Sequence, residues 1–183
     1  MFLYNKEILK IYYYLIVIDG TATSKEIQKF EEIGNRICTS GDFNSKKYEV
    51  FTDCDWQMRK SFNNNDYYEV IQAGVKDSLN SIYYLSEEEK KLILWDLLIL
   101  AECDGTTSEE EKGLIQFISS KWEIDRIVCM EMEIAIKSIG AVEKEIEWAK
   151  TINKPYVEIE KLIKELTVRK KTILKSIQVL ISD

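Results

Sequence analysis

Two stretches decide how this chain folds: Val17-Ile18-Asp19-Gly20-Thr21-Ala22-Thr23-Ser24-Lys25-Glu26 and Glu102-Cys103-Asp104-Gly105-Thr106-Thr107-Ser108-Glu109-Glu110-Glu111. Asp19 and Asp104 are 85 residues apart, and the same offset pairs Gly20 with Gly105, Thr23 with Ser108 and Glu26 with Glu111. The flanking apolar residues keep the register. Ile8, Tyr12 and Leu15 map onto Ile93, Leu97 and Leu100, and Phe30, Ile33 and Ile37 onto Ile115, Ile118 and Trp122. Steps of three and four put each set on one face of a helix, so each stretch is the turn of a helical hairpin and the hairpin is duplicated. The hairpins are predicted over residues 5–38 and 87–122.

Working outward, the rest of the chain also reads as helix. Of 183 residues, one is proline and seven are glycine, too few turn formers for an all-β protein of this length. Apolar residues make up 45%, enough to fill a core. Ser86-Glu87-Glu88-Glu89 is a capping-box start for the helix that carries Leu92 to Leu100. A loop is predicted over 39–47, a short helix over 48–62, a turn at Asn63-Asn64-Asn65-Asp66 and a helix over 67–84. Beyond Ile124 the patterns predict separate helices over 125–137 and 142–152. Pro155 then marks a break before a last helix, with Val157, Leu162, Leu166, Ile173 and Ile177 packed and Lys170 and Lys171 in solvent. The expected fold is all-α: a compact bundle of seven or more helices, a single domain over 1–183 with a basic helical segment at 155–183.

Charge narrows the function. The chain carries 25 basic and 32 acidic residues, net −7, which argues against nucleic acid as a partner. The segment from Lys150 to Asp183 is the exception, with eight basic residues against four acids. A basic amphipathic helix can lie on a membrane, but the interleaved glutamates favour a solvated bundle face over peripheral membrane contact. Cys38, Cys54, Cys103 and Cys129 form no metal-binding spacing and there is no histidine, which fits reduced thiols and a cytoplasmic location. No apolar stretch approaches a membrane span, and the N-terminus lacks the pattern of a signal peptide.

The hairpin acids are the candidate site. Asp19 and Asp104 end the apolar stripe of each first helix, and Glu26 and Glu111 begin the stripe of each second helix. A carboxylate drawn toward a core needs a cation, a donor or a proton. Two readings stay open. In one, Thr23-x-x-Glu26 and Ser108-x-x-Glu111 are capping boxes and the aspartates belong to turns. In the other, Asp19, Glu26, Asp104 and Glu111 ligate a divalent cation, with oxygen donors favouring calcium, magnesium or manganese. An EF-hand is excluded, because Leu15 or Leu100 would stand at its first ligand position.

This duplicated Asp-Gly followed by Glu seven residues after the Asp, within an all-helical chain, resembles the TerB-like family associated with tellurite resistance. The resemblance covers roughly residues 5–125. It implies a compact bundle with pseudo-twofold hairpins, a role in stress resistance and metal binding through these acids. Ile18, where a small residue is usual, and Lys25 beside Glu26 depart from the pattern.

Catalysis is not expected. The chain has no histidine to serve as general base and no phosphate-binding or nucleophile-elbow motif. Cys103 is the one tempting nucleophile, but Asp104 beside it would raise the thiol pKa. The expectation is a non-enzymatic stress-response domain with a protein partner, binding a divalent metal through the hairpin acids. The alternative is a helical interaction scaffold whose acids only cap helices.

Overall fold

A computed structural model describes residues 6–20, 22–38, 43–61, 67–153 and 155–183. Among them are eight helices and no strand, as the all-α reading requires. The chain divides into two compact units, residues 1–123 and 124–183. The sequence reading had treated 1–183 as one domain with a segment beginning at 155.

The first unit is built around α1 (Lys6–Val17), which packs against α2 (Ser24–Ile37), α3 (Phe43–Ser61), α4 (Tyr67–Ser81), α5 (Glu87–Glu102) and α6 (Glu109–Lys121). A helix surrounded in this way must be apolar nearly all round. Accordingly Ile8, Leu9, Ile11, Tyr12, Tyr14, Leu15 and Ile16 are all buried, where a single stripe was expected. The exceptions find partners. Tyr13 Oη donates to Asp55 Oδ1 at 2.8 Å, and Lys6 and Lys10 reach Asp53 at 2.8 and 3.7 Å.

Two boundaries differ from expectation: the end of α4, which stops at Ser81 where 84 was predicted, and the start of α3. The loop predicted to Lys47 ends earlier, because α3 begins at Phe43, whose buried ring packs on Gly34 of α2. Gly34, inside α2, leaves room for that ring: a Cβ there would overlap Phe43. The turn predicted at 63–66 falls outside the described residues, as does the 39–42 part of the loop.

The second unit is a hairpin of α7 (Arg126–Thr151) and α8 (Tyr156–Ser182). The two helices predicted over 125–137 and 142–152 are one. Gly140 lowers local helix propensity but creates no turn, since Asp125 caps the start through Ile127 N at 2.7 Å and apolar packing continues on both sides of it. Met132, Ala135, Val142 and Ala149 of α7 are buried, as are Leu166, Ile177 and Ile181 of α8. The expectation for the last helix holds for Leu166 and Ile177, and in part for the half-buried Leu162 and Ile173. It fails for Val157, which is 74% exposed: in the first turn of α8 it lies on the face opposite Leu166 and Ile177. Lys171 is in solvent, while the half-buried Lys170 pairs with Glu143 at 2.5 Å. No helix among the described residues is long and apolar enough to cross a membrane.

Candidate functional site

The repeat extends to individual hydrogen bonds. Gly20 N donates to Val17 O and Gly105 N to Glu102 O, both at 3.0 Å. Both glycines have positive φ, +86° and +96°, the left-handed conformation in which a helix ends most cheaply at glycine. Three residues on, Thr23 and Ser108 take the N-cap positions. Glu26 N donates to Thr23 Oγ1 at 3.2 Å and Thr23 N donates to Glu26 Oε2 at 2.6 Å. In the second hairpin, Glu111 N donates to Ser108 Oγ at 3.1 Å and Ser108 N to Glu111 Oε2 at 2.7 Å. Both capping boxes are closed, and Ser86–Glu89 forms a third.

The four predicted site residues separate into two kinds. Glu26 and Glu111 are buried, while Asp19 is exposed and Asp104 only half-buried. Asp104 Oδ1 accepts from Thr106 N at 2.9 Å and from Thr106 Oγ1 at 3.1 Å, which ties it to its own turn. Glu111 lies within the electrostatic reach of both Glu26 and Asp19, so the turn ends of the two hairpins do approach each other. Among the described residues, however, no three acidic or cysteine side chains are placed to hold a metal ion. Asp19 with Glu26, and Asp104 with Glu111, thus stand as two pairs of acids with no third side-chain ligand among the described residues.

Glu111 is the unusual member. It is 3% exposed, and Oε1, the oxygen not used by the capping box, is buried with no hydrogen-bond partner among the described residues. Burial pushes its carboxyl up to about 7, with Glu26 and Asp19 adding to the rise and the Ser108 hydrogen bonds opposing it. Cys103 at the end of α5 belongs to the same neighbourhood. Burial, Glu26 and Asp104 raise its thiol to about 11, which keeps it protonated and unreactive near neutral pH. No disulfide joins the four cysteines, and burial likewise raises Cys54, to about 12.

One polar cluster was missed from sequence. Asp96 is buried in the middle of α5, where Arg36 Nη2 donates to its Oδ1 at 2.5 Å and Tyr12 Oη to its Oδ2 at 3.0 Å. Burial raises its carboxyl, and Arg36 and Tyr12 oppose that rise. The signal was available: Asp96 is the only charged residue between Leu92 and Ala101. The cluster ties α1, α2 and α5 together and breaks the symmetry of the repeat, because the counterparts of Tyr12 and Asp96 are Leu97 and Ile11. No protein-family model matches the chain, and neither does any curated protein or solved structure.

Proposed function

We propose that this chain is a non-enzymatic protein-interaction module whose hairpin acids act first as helix caps. The observation that carries this reading is a second apolar face on α7. Ile127, Met130, Ile134 and Trp148 are 61, 51, 58 and 60% exposed, and Ala141 is exposed between them. Ile127, Ile134, Ala141 and Trp148 follow one another at intervals of seven, the spacing of a helix–helix seam. At 100° per residue this stripe is centred about 110° around the helix from the buried face of Met132, Ala135, Val142 and Ala149. Scattered exposed apolar residues need no explanation, but an aligned row over most of a 26-residue helix marks an interaction surface. Arg126, Lys137 and Lys144 border it on one side and Glu131 and Glu145 on the other, so an amphipathic helix with charges of both signs is the partner it suits.

Photo-cross-linking tests this directly. A photoreactive phenylalanine analogue placed at position 134 or 148, in cells, is expected to give a discrete protein adduct that Met130→Glu abolishes. Labelling no greater than from position 171, on the exposed side of α8, would contradict the reading.

A divalent cation at Glu26 and Glu111 is the second reading, favoured by the unpartnered Glu111 Oε1. Water would have to supply most of the shell, since each glutamate already commits one oxygen to a cap. The TerB-like resemblance, and with it a role in tellurite or stress resistance, rests on the two hairpin motifs alone. Calorimetric titration with calcium, magnesium or manganese tests the cation. The capping account expects no heat of binding from the wild type at about millimolar ion, whereas saturable binding lost in Glu111→Gln would establish the second reading.

A further inference from the structure

The first unit contains a pocket of about 230 Å³ that its charge does not predict. Residues 1–123 carry 14 basic residues against 22 acidic ones, net −8. Yet the pocket wall holds three lysines, Lys76, Lys90 and Lys121, and no carboxylate. The lysines come from three helices: Lys76 from α4, Lys90 from the first turn of α5 and Lys121 from the end of α6. None of the three makes an ion pair among the described residues, and the one ring contact of Lys121 is with Phe117, its ammonium 5.7 Å from the ring centroid. Like charges gathered without counter-ions repel one another, and an anion is what relieves them.

The remaining lining supplies more donors. Asn80 and Tyr83 contribute an amide and a phenol, while Leu79 and Trp122 are buried and form an apolar floor. Trp122 is also one of two residues with a buried polar side-chain atom lacking a partner: its indole Nε1–H meets no acceptor among the described residues. An indole N–H can only donate, and this one is closed off from solvent, so Trp122 enters as a reporter on the pocket wall and not as a donor to a ligand. Size limits the ligand, because pockets that enclose drug-sized molecules span about 300–1,000 Å³.

We propose that this pocket binds the phosphate groups of a small molecule. Three lysines in the wall of a compact pocket suit a di- or triphosphate better than a single carboxylate, since each phosphoryl oxygen can take a separate charge-assisted hydrogen bond. The exposed ring of Tyr83 at the rim can carry an attached base or other flat group.

The test follows the indole N–H resonance of Trp122 in ¹H–¹⁵N spectra of the full chain, assigned by its loss in Trp122→Phe. Pyrophosphate is the probe for the phosphate groups alone, ADP for the same groups with a base attached, and sodium chloride the control at matched ionic strength. The expected result is a saturable shift of Trp122 with pyrophosphate and with ADP. The combined Lys76→Gln, Lys90→Gln and Lys121→Gln variant should weaken it about tenfold or more. Tighter binding of ADP that Tyr83→Ala reverses would add the base to the recognised group. If the triple variant fails to give a dispersed spectrum, Lys76→Gln and Lys90→Gln are read singly, and each is expected to weaken binding. Shifts that do not saturate, that chloride reproduces, or that survive loss of the lysines would overturn the proposal and leave the lysines as balance for the C-terminal carbonyls of α4 and α6.

Discussion

Burial of Glu111 makes a stability prediction whose sign can be worked out. Its carboxyl rises from an ordinary 4.5 to about 7 in the fold. Between these values the native state holds a proton that the unfolded chain has released. The stabilisation is therefore fully present below about pH 4.5 and lost as pH rises through 7. A shift of this size corresponds to no more than about 3 kcal/mol. Glu111→Gln keeps an oxygen for Ser108 N but cannot ionise. Its melting temperature is expected to gain on the wild type steadily from pH 5 to pH 8. Parallel melting curves for the two proteins across that range would show that Glu111 does not titrate there. The two glutamates at repeat positions were readable as caps from Ser/Thr-x-x-Glu alone. The unpaired Oε1 was not, because its burial depends on the three-dimensional packing around Glu111 and not on the local motif. Asp96 was equally hidden, since its partners Arg36 and Tyr12 stand 60 and 84 residues away.

At the scale of the element, two glycines in helices should respond in opposite directions to alanine. Gly140 in α7 faces open space, with nothing within 4 Å of a built Cβ. Gly140→Ala should stabilise the chain by about 0.5–1 kcal/mol through helix propensity and lower unfolded-state entropy. Gly34→Ala gains the same propensity but drives a methyl group into the Phe43 ring. Overpacking costs about 1–3 kcal/mol and outweighs that gain, so Gly34→Ala should melt below the wild type. Thermal unfolding of both variants checks the pair, and two shifts of the same sign would contradict it. Of the two, Gly140 also shows where an element boundary was misread. Gly34 was read inside a helix and does lie in one, where it admits a neighbouring ring, whereas Gly140 falls between the helices predicted over 125–137 and 142–152 and is tolerated in a single helix held by its cap and its packing. The α3 start was missed for a related reason: Phe43 is anchored by a contact with α2 that local pattern does not contain.

For the whole molecule, the duplicated hairpin was legible because the two copies share turn, cap and stripe at one offset, and the all-α class followed from it. The division of the chain between Glu123 and Ile124 was not, since Trp122-Glu123-Ile124-Asp125 carries no proline, glycine or low-complexity signal. Nor did sequence patterning separate the two apolar faces of α7, because its residues read as two short helices, and both faces run the length of one helix only once α8 is seen to cover one of them. The proposed function rests on that separation, and thermal unfolding tests it. Ile134→Gln combined with Trp148→Gln changes the outer face, and Met132→Gln combined with Val142→Gln changes the buried one. The outer pair should leave the melting temperature within about 2 °C of the wild type, as surface substitutions do, while the inner pair lowers it by many degrees. An outer pair that destabilises the chain as much as the inner pair would show that the face belongs to the fold and is not held open for a partner.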